Sequence, residues 1–294
     1  MAAGSHLQAQ YYFYNGEYYE SDFVYEFGGS IGAMNALTDL GGRKGPGKTG
    51  VKDFTLKNTE LCGGLYFGVL FKNSVGLRLE ATFGKVKGDD AQLKKVAATT
   101  DGRYERNLSF RSAITEVVAM GEFHPMEMFI SYNDDRYPPA ISPYLLAGVG
   151  FFHFNPQAEL NGSYIDLQPL HTEGQGFPEY PAVKEYKLNA MNFPVGVGAR
   201  YEISPILNVR AEFIYRFLTT DYLDDVSGKY IDPAVFANHL SGAQLTHAIL
   251  LNDRHIPGAK YSTAHPDGIR GNPNKDAYIT FSLKLGLTLG RERR

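Results

Sequence analysis

The sequence predicts an all-β chain: an eight-stranded antiparallel up-and-down transmembrane β-barrel, with long extracellular loops carrying short helices. Three observations predict it. Residues alternate between apolar and polar in eight separate segments, the period of a strand with two unlike faces. The connections between segments alternate between long and tight, which sorts the loops onto one rim and the turns onto the other. The polar faces carry six acids and five bases, a nearly neutral set of the kind a narrow lumen needs.

The first segment starts at Phe23, with Tyr25, Phe27, Ile31 and Ala33 on one face and Glu26, Gly28, Ser30 and Gly32 on the other. Residues 37–57 then read as a loop, dense in glycine and lysine. The second segment, 61–71, and the third, from Val75 to Phe83, flank the tight turn Lys72-Asn73-Ser74. Residues 85–103 read as loop. The fourth segment, 104–123, changes parity along its length, and a bulge at Arg111-Ser112 would reconcile its ends. The connection 124–140 contains Pro138 and Pro139.

The fifth segment covers 141–154 and is followed by a long loop over 155–185. The sixth, 186–202, contains Pro194, which has to sit at a bulge or an unpaired position. Ile203-Ser204-Pro205 turns the chain into the seventh and clearest segment, where Leu207, Val209, Ala211, Phe213, Tyr215 and Phe217 alternate with Asn208, Arg210, Glu212 and Arg216. In the irregular stretch 218–274, Asp232-Pro233 is a helix start and Ser241 caps a second helix running to about Asp253. The eighth segment, 277–289, sets Ile279, Phe281, Leu283, Leu285, Leu287 and Leu289 against Tyr278, Thr280, Ser282, Lys284 and Thr288.

Composition agrees. The 294 residues include 32 glycines and 13% aromatics, which suits strands joined by tight turns. A net charge of −3 gives no basis for nucleic-acid binding. No apolar run approaches the length of a membrane helix, a finding that leaves barrels untouched. Cys62 stands alone, so no internal disulfide forms. Residues 1–9 read as a tag and signal-peptide remnant, 10–22 as an N-terminal periplasmic segment, and 23–290 as a single barrel domain with both termini on the periplasmic side of an outer membrane. Tyr takes the place of the absent Trp in the interfacial girdles.

Parity assigns Glu26, Arg78, Glu80, Glu116, Glu122, Arg200, Glu202, Arg210, Glu212, Arg216 and Lys284 to the lumen, as a paired network rather than a catalytic set. Several stretches resemble a family of small Bacteroidota outer-membrane barrels: residues 220–227 (TDYLDDVS), 106–110 (RNLSF), 142–145 (SPYL) and 270–273 (RGNP), with 26–30 (EFGGS) and 37–40 (LTDL). That family includes PorG-like barrels linked to the type IX secretion system and its periplasmic ring. The resemblance implies an envelope protein, with secretion machinery as a partner, and no activity.

Three chemistries compete with plainer readings. Next to Thr220, the carboxylates of Asp221, Asp224 and Asp225, with Asp232 nearby, could bind Ca²⁺, but the spacing lacks the glycine and terminal glutamate of an EF-hand loop. Their plainer role is to cap the turn leaving the seventh strand. His239, His247, His255 and His265 share one face only if a single helix runs throughout, which Gly242 and Pro257 oppose. Ser241, Ser262, His239 and Asp253 could serve a rim hydrolase, yet no elbow marks a nucleophile. The sequence therefore predicts no catalytic residue, metal or cofactor. The alternatives are a rim-active lipid or peptide hydrolase and a narrow channel. The expected surroundings are outer-membrane lipid.

Overall fold

Alternation at period two gives each strand one apolar and one polar face, and a closed ring of such strands places one face outside and the other inside. A computed structural model describes residues 22–42, 54–100, 102–129, 141–258 and 268–290. In it, β1 (Phe23–Leu37), β2 (Glu60–Phe71), β3 (Val75–Asp89), β4 (Ser109–Phe123), β5 (Ile141–Leu160), β7 (Asn189–Ser204), β8 (Leu207–Leu218) and β9 (Ala277–Leu289) pair in a ring. The short β6 (Ser163–Asp166) extends β5 outside that ring. Every pairing is antiparallel, and β9 closes on β1 from Tyr25↔Leu289 to Leu37↔Ala277. The chain is a closed eight-stranded β-barrel.

Its burial is inverted relative to a water-soluble protein. Leu61 and Leu77 on the outer face are 84% and 75% exposed, whereas Arg210, Glu212 and Arg216 on the inner face are 2%, 1% and 1% exposed. Five or six apolar residues point outward along most strands, spaced over about ten positions. At the usual strand tilt that length matches the apolar band of a membrane barrel. Among the described residues no helix is long and apolar enough to cross a membrane, so the strands supply any crossing.

Several boundaries differ from the sequence expectation for local reasons. β3 runs on to Asp89, because Lys85 and Lys87 keep the alternation with Val86 inside. Residues 103–106 form a helical turn, α1 (Arg103–Arg106), so β4 starts only at Ser109. No bulge occurs at Arg111-Ser112, since both ladders keep register there. β5 continues to Leu160 and turns into β6 through Asn161-Gly162, whose φ angles of 53° and 81° make the tight hairpin that an Asn-Gly pair encodes. The β5–β7 ladder lapses opposite Pro194 and resumes in the same register, as a missing N–H requires.

After β4, α2 (Pro125–Phe129) leads into residues outside those described. In the last loop Asp232 accepts a hydrogen bond from the Ala234 N–H, and α3 (Phe236–His239) follows. Then α4 (Gly242–Asn252) starts after Ser241, whose side chain makes no cap hydrogen bond although its carbonyl accepts from the Leu245 N–H. The segments expected at 1–9 and at 10–22, apart from Asp22, lie outside the described residues.

Two inward glycines make room for aromatic rings. Gly28 pairs across the ladder with Tyr66, and Gly198 with Tyr144. A Cβ on Gly198 would meet the Tyr144 ring at 2.4 Å, and one on Gly28 would meet the Tyr66 ring at 2.6 Å. Gly198→Val therefore displaces Tyr144, and the expected loss is about 1–3 kcal/mol of barrel stability. Urea unfolding of liposome-inserted protein, followed by gel mobility without boiling, measures it. An unchanged midpoint would contradict the packing described.

Candidate functional site

The polar residues collect in two places, the lumen and the mouth under the long loops. In the lumen, Arg210 grips Glu26 through Nε at 2.8 Å and Nη2 at 2.5 Å, and reaches Glu122 through Nη1 at 2.9 Å. Arg78 makes the same two-point grip on Glu212, at 2.5 and 3.1 Å, and also meets Glu122 at 2.9 Å. Lys284 bridges Glu212, at 2.9 Å, and Glu80. Arg200 pairs with Glu202 at 2.8 Å towards the turn-side rim.

Tyrosines knit these pairs together. The Tyr66 hydroxyl donates to Glu26 and the Tyr144 hydroxyl to Glu212, each at 2.5 Å. Nearer the loops, Arg216 holds Glu116 at 2.7 Å, while the Tyr278 hydroxyl and the Asn192 amide donate to the same carboxylate. All eleven residues assigned to the lumen by parity point inward, and only Glu202 is partly exposed. Parity also reaches Tyr66, Tyr144 and Tyr278, but a tyrosine on a polar face is no signal until its partner is known.

Above this tier Met34, Val86, Ile114, Phe152, Phe154 and Leu223 form an apolar plug. The lumen is thus filled by paired charge below and packed hydrocarbon above. An eight-stranded barrel is just narrow enough for that filling.

The mouth gathers four of the stretches that carry the family resemblance, 37–40, 106–110, 220–227 and 270–273, while 26–30 belongs to the barrel wall and lumen. Arg106 donates to both Asp90 oxygens at 2.8 and 3.0 Å, to the Asp39 carbonyl at 2.9 Å and to the Arg270 carbonyl at 2.5 Å. Arg270 in turn donates to Glu173 at 3.1 Å and to the Asp225 carbonyl at 2.6 Å. The Leu40 N–H donates to Asp224, and the Asn272 N–H to Asp39. A Cβ on Gly271 would strike Val226 at 2.5 Å, so residues 270–273 and 220–227 lie together only because of that glycine. Residues 142–145 belong to the lumen instead, through Tyr144 and through Ser142, which lies 3.3 Å from His124.

Carboxylates outnumber arginines at the mouth. Burial pushes Asp224 up to about 8, with the nearby Asp39 adding repulsion. Burial likewise lifts Asp221 to about 8, and Asp39 and Asp225 to about 6. Asp276 also rises, through burial and repulsion from Asp224. The turn aspartates still hold local structure in place. Asp224 accepts from the Val226 N–H at 3.0 Å, and Asp225 from Thr172 and Tyr186. Among the described residues no three His, Cys, Asp or Glu side chains are placed to hold a metal ion. The hydrogen bonds that Asp224 and Asp225 make are those of turn capping and loop tethering. Asp232 stands apart, capping its helical turn.

Among the described residues no metal-holding group gathers the loop histidines. His239 meets Glu179 at 2.8 Å and stacks on Phe177, while His255 meets Asp253 at 2.7 Å. His265 and Ser262 lie outside the described residues. One serine–histidine–carboxylate chain does form, away from these candidates. His124 lies 3.3 Å from both Ser142 and Glu122. All three are buried, and Arg210 and Arg78 already engage Glu122, so the chain reads as lumen packing.

Compared with protein-family models and with curated proteins, the sequence has no match. Among solved structures, Neisserial surface protein A is similar at 11% identity and a TM-score of 0.39, covering 91% of this chain and 97% of that one. OprG from Pseudomonas aeruginosa is similar at 11% identity and 0.35, covering 91% and 95%. The E. coli outer membrane protein W is similar at 15% identity and 0.34, covering 92% and 99%.

Two outcomes follow. Arg216→Met strands a buried carboxylate and costs about 3–5 kcal/mol, while Arg216→Met with Glu116→Leu regains most of that loss. Urea midpoints of the two variants check the difference. The raised mouth carboxylates bind more protons folded than unfolded, so loop packing weakens as pH rises through about 6 to 8. Hydrogen exchange at the Leu40 and Val226 amides, corrected for intrinsic rate, should show protection falling over that window and a smaller fall in Asp224→Asn.

Proposed function

We propose that the chain is an outer-membrane β-barrel acting as a non-enzymatic envelope anchor or accessory, with both termini in the periplasm and the capped loops outside. The observation that carries this is the filled lumen: charge pairs, an apolar plug and a packed mouth succeed one another along the axis. Such a barrel has no path for a solute, and its exposed surfaces are lipid-facing wall, loops and turns. An even strand number with short turns beside both termini supports the orientation.

Work on other molecules would then fall to the rims. Above the mouth, Leu167, Leu170, Phe177, Ile231, Phe236 and Leu251 build a second apolar core that joins loops of the outer rim into one rigid surface. The resemblance to PorG-like barrels supports type IX secretion machinery as the partner, met from the periplasmic side. Among the described rim candidates, His239 pairs with Glu179 and Asp253 with His255.

Membrane insertion gives a barrel whose gel mobility changes on boiling, and planar-bilayer recordings should be flat. Steady unitary conductance would overturn the closed-barrel reading. Affinity purification from envelope membranes should bring down ring components of type IX machinery, and their absence under conditions that preserve the ring would remove that partner.

A further inference from the structure

The apolar band does not end alike on all strands. On β7 and β8 the first polar outward residues above it are the uncharged Asn189 and Thr219. On β3 the outward run Val75, Leu77, Leu79, Ala81 and Phe83 passes directly into Lys85 and Lys87. On β4 the band ends at Ala113 and the next outward residue is Arg111.

Lys87 and Arg111 stand directly opposite each other in the ladder, and Lys85 is one outward position below them. Like charges facing across a ladder repel, so this arrangement is favourable only with an anion nearby. Lys87 has one in Glu60. Lys85 is exposed and Arg111 half-buried, and neither has an ion pair among the described residues.

Arg111 is nonetheless held in place. Its guanidinium lies over the Tyr164 ring, 3.0 Å from the centroid, and its Nε donates to Gln157 at 3.1 Å. That leaves the Nη fork for another acceptor, the geometry in which arginine takes phosphate. The other nearby carboxylates are engaged: Asp166 accepts from the Asn155 and Gln157 amides, and Asp89 from the Ala91 N–H. Glu159 lies further from the band along β5. Lys85, Lys87, Arg111, Gln157 and Tyr164 line a cleft of about 320 Å³ just beyond the apolar band, with Glu60, Asp89 and Glu159 on its walls.

We propose that Lys85 and Arg111, with Lys87 beside them, dock a phosphorylated lipid headgroup of the outer leaflet. The inference rests on the outer-membrane reading with the loops outside. What touches an outward side chain at the edge of the apolar band is lipid, and the leaflet facing the loops is the one whose glycolipids carry phosphate on the sugar. An exposed aromatic ring at the same level, Tyr164, matches the interfacial setting. Hydrocarbon contact below and phosphate contact above fix a lipid at two points.

The test uses the full chain refolded in detergent and titrated with lipid A, with dephosphorylated lipid A and with inorganic phosphate, read by native mass spectrometry. Wild type should retain lipid A about thirtyfold more tightly than Lys85→Ala/Arg111→Gln, the effect of removing two interfacial cations. Dephosphorylated lipid A should lose a similar factor, and millimolar phosphate should not displace bound lipid A. Lys72→Ala, at the opposite rim, should bind like wild type. Should the double variant lose its heat-shifted gel mobility, Lys85→Ala alone carries the test, with about a fivefold loss expected. Equal retention by wild type and variant, by both forms of lipid A, or an equal loss in Lys72→Ala, overturns the proposal. A wild-type chain that never acquires heat-shifted mobility would instead sink the membrane reading beneath it.

Discussion

Every other feature depends on the pairing of buried charge inside the barrel. A closed wall with a filled lumen leaves its inner side chains no bulk water, so each carboxylate must meet a cation or a hydroxyl within the lumen. Arg210 and Arg78 answer this by gripping Glu26 and Glu212 at two points each while sharing Glu122. The grips reach across the barrel rather than along it: Arg210 lies on β8, Glu26 on β1 and Glu122 on β4. They tie opposite walls together, which neighbouring ladders alone cannot do. The glycines opposite Tyr66 and Tyr144 let those rings lie flat enough to reach the same carboxylates.

The mouth works by different rules. Here loops rather than strands supply the side chains, and carboxylates are in excess of the arginines that organise them. Arg106 and Arg270 direct their donors to backbone carbonyls as well as to acids, so they fix the paths of several loops at once. Below it the apolar plug separates the mouth's network from the one in the lumen. On the outside, the basic edge of β3 and β4 is a place where charge meets the apolar band.

Strand faces were legible in the sequence because period two leaves each inward residue flanked by two outward ones, and nearly every outward place on the barrel wall holds an apolar residue. The eleven lumen residues followed from that rule alone. β9 appears with the bounds expected for it, since its alternation is unbroken. The extension of β5 was missed although Asn161-Gly162 encodes its hairpin, because residues beyond Phe154 no longer face lipid and lose the apolar mark. The supposed bulge in β4 came from reading the helical turn Arg103–Arg106 as strand. The mouth could not be read at all. Its members lie far apart in the chain, as Asp39 and Asn272 do, and no local period connects them. Only their resemblance motifs marked the positions, without saying that they meet.

The central claim is that Phe213 and Phe217 of β8 and Phe281, Leu283, Leu285, Leu287 and Leu289 of β9 face hydrocarbon, and the absence of tryptophan from the chain allows a direct measurement. Phe213→Trp and Leu283→Trp each place one indole in the middle of the outward band, and Leu250→Trp places one on the exposed face of α4. In vesicles whose acyl chains carry bromine, the first two should be strongly quenched and the third left bright. Unquenched emission from Phe213→Trp in folded, vesicle-bound protein would contradict the account.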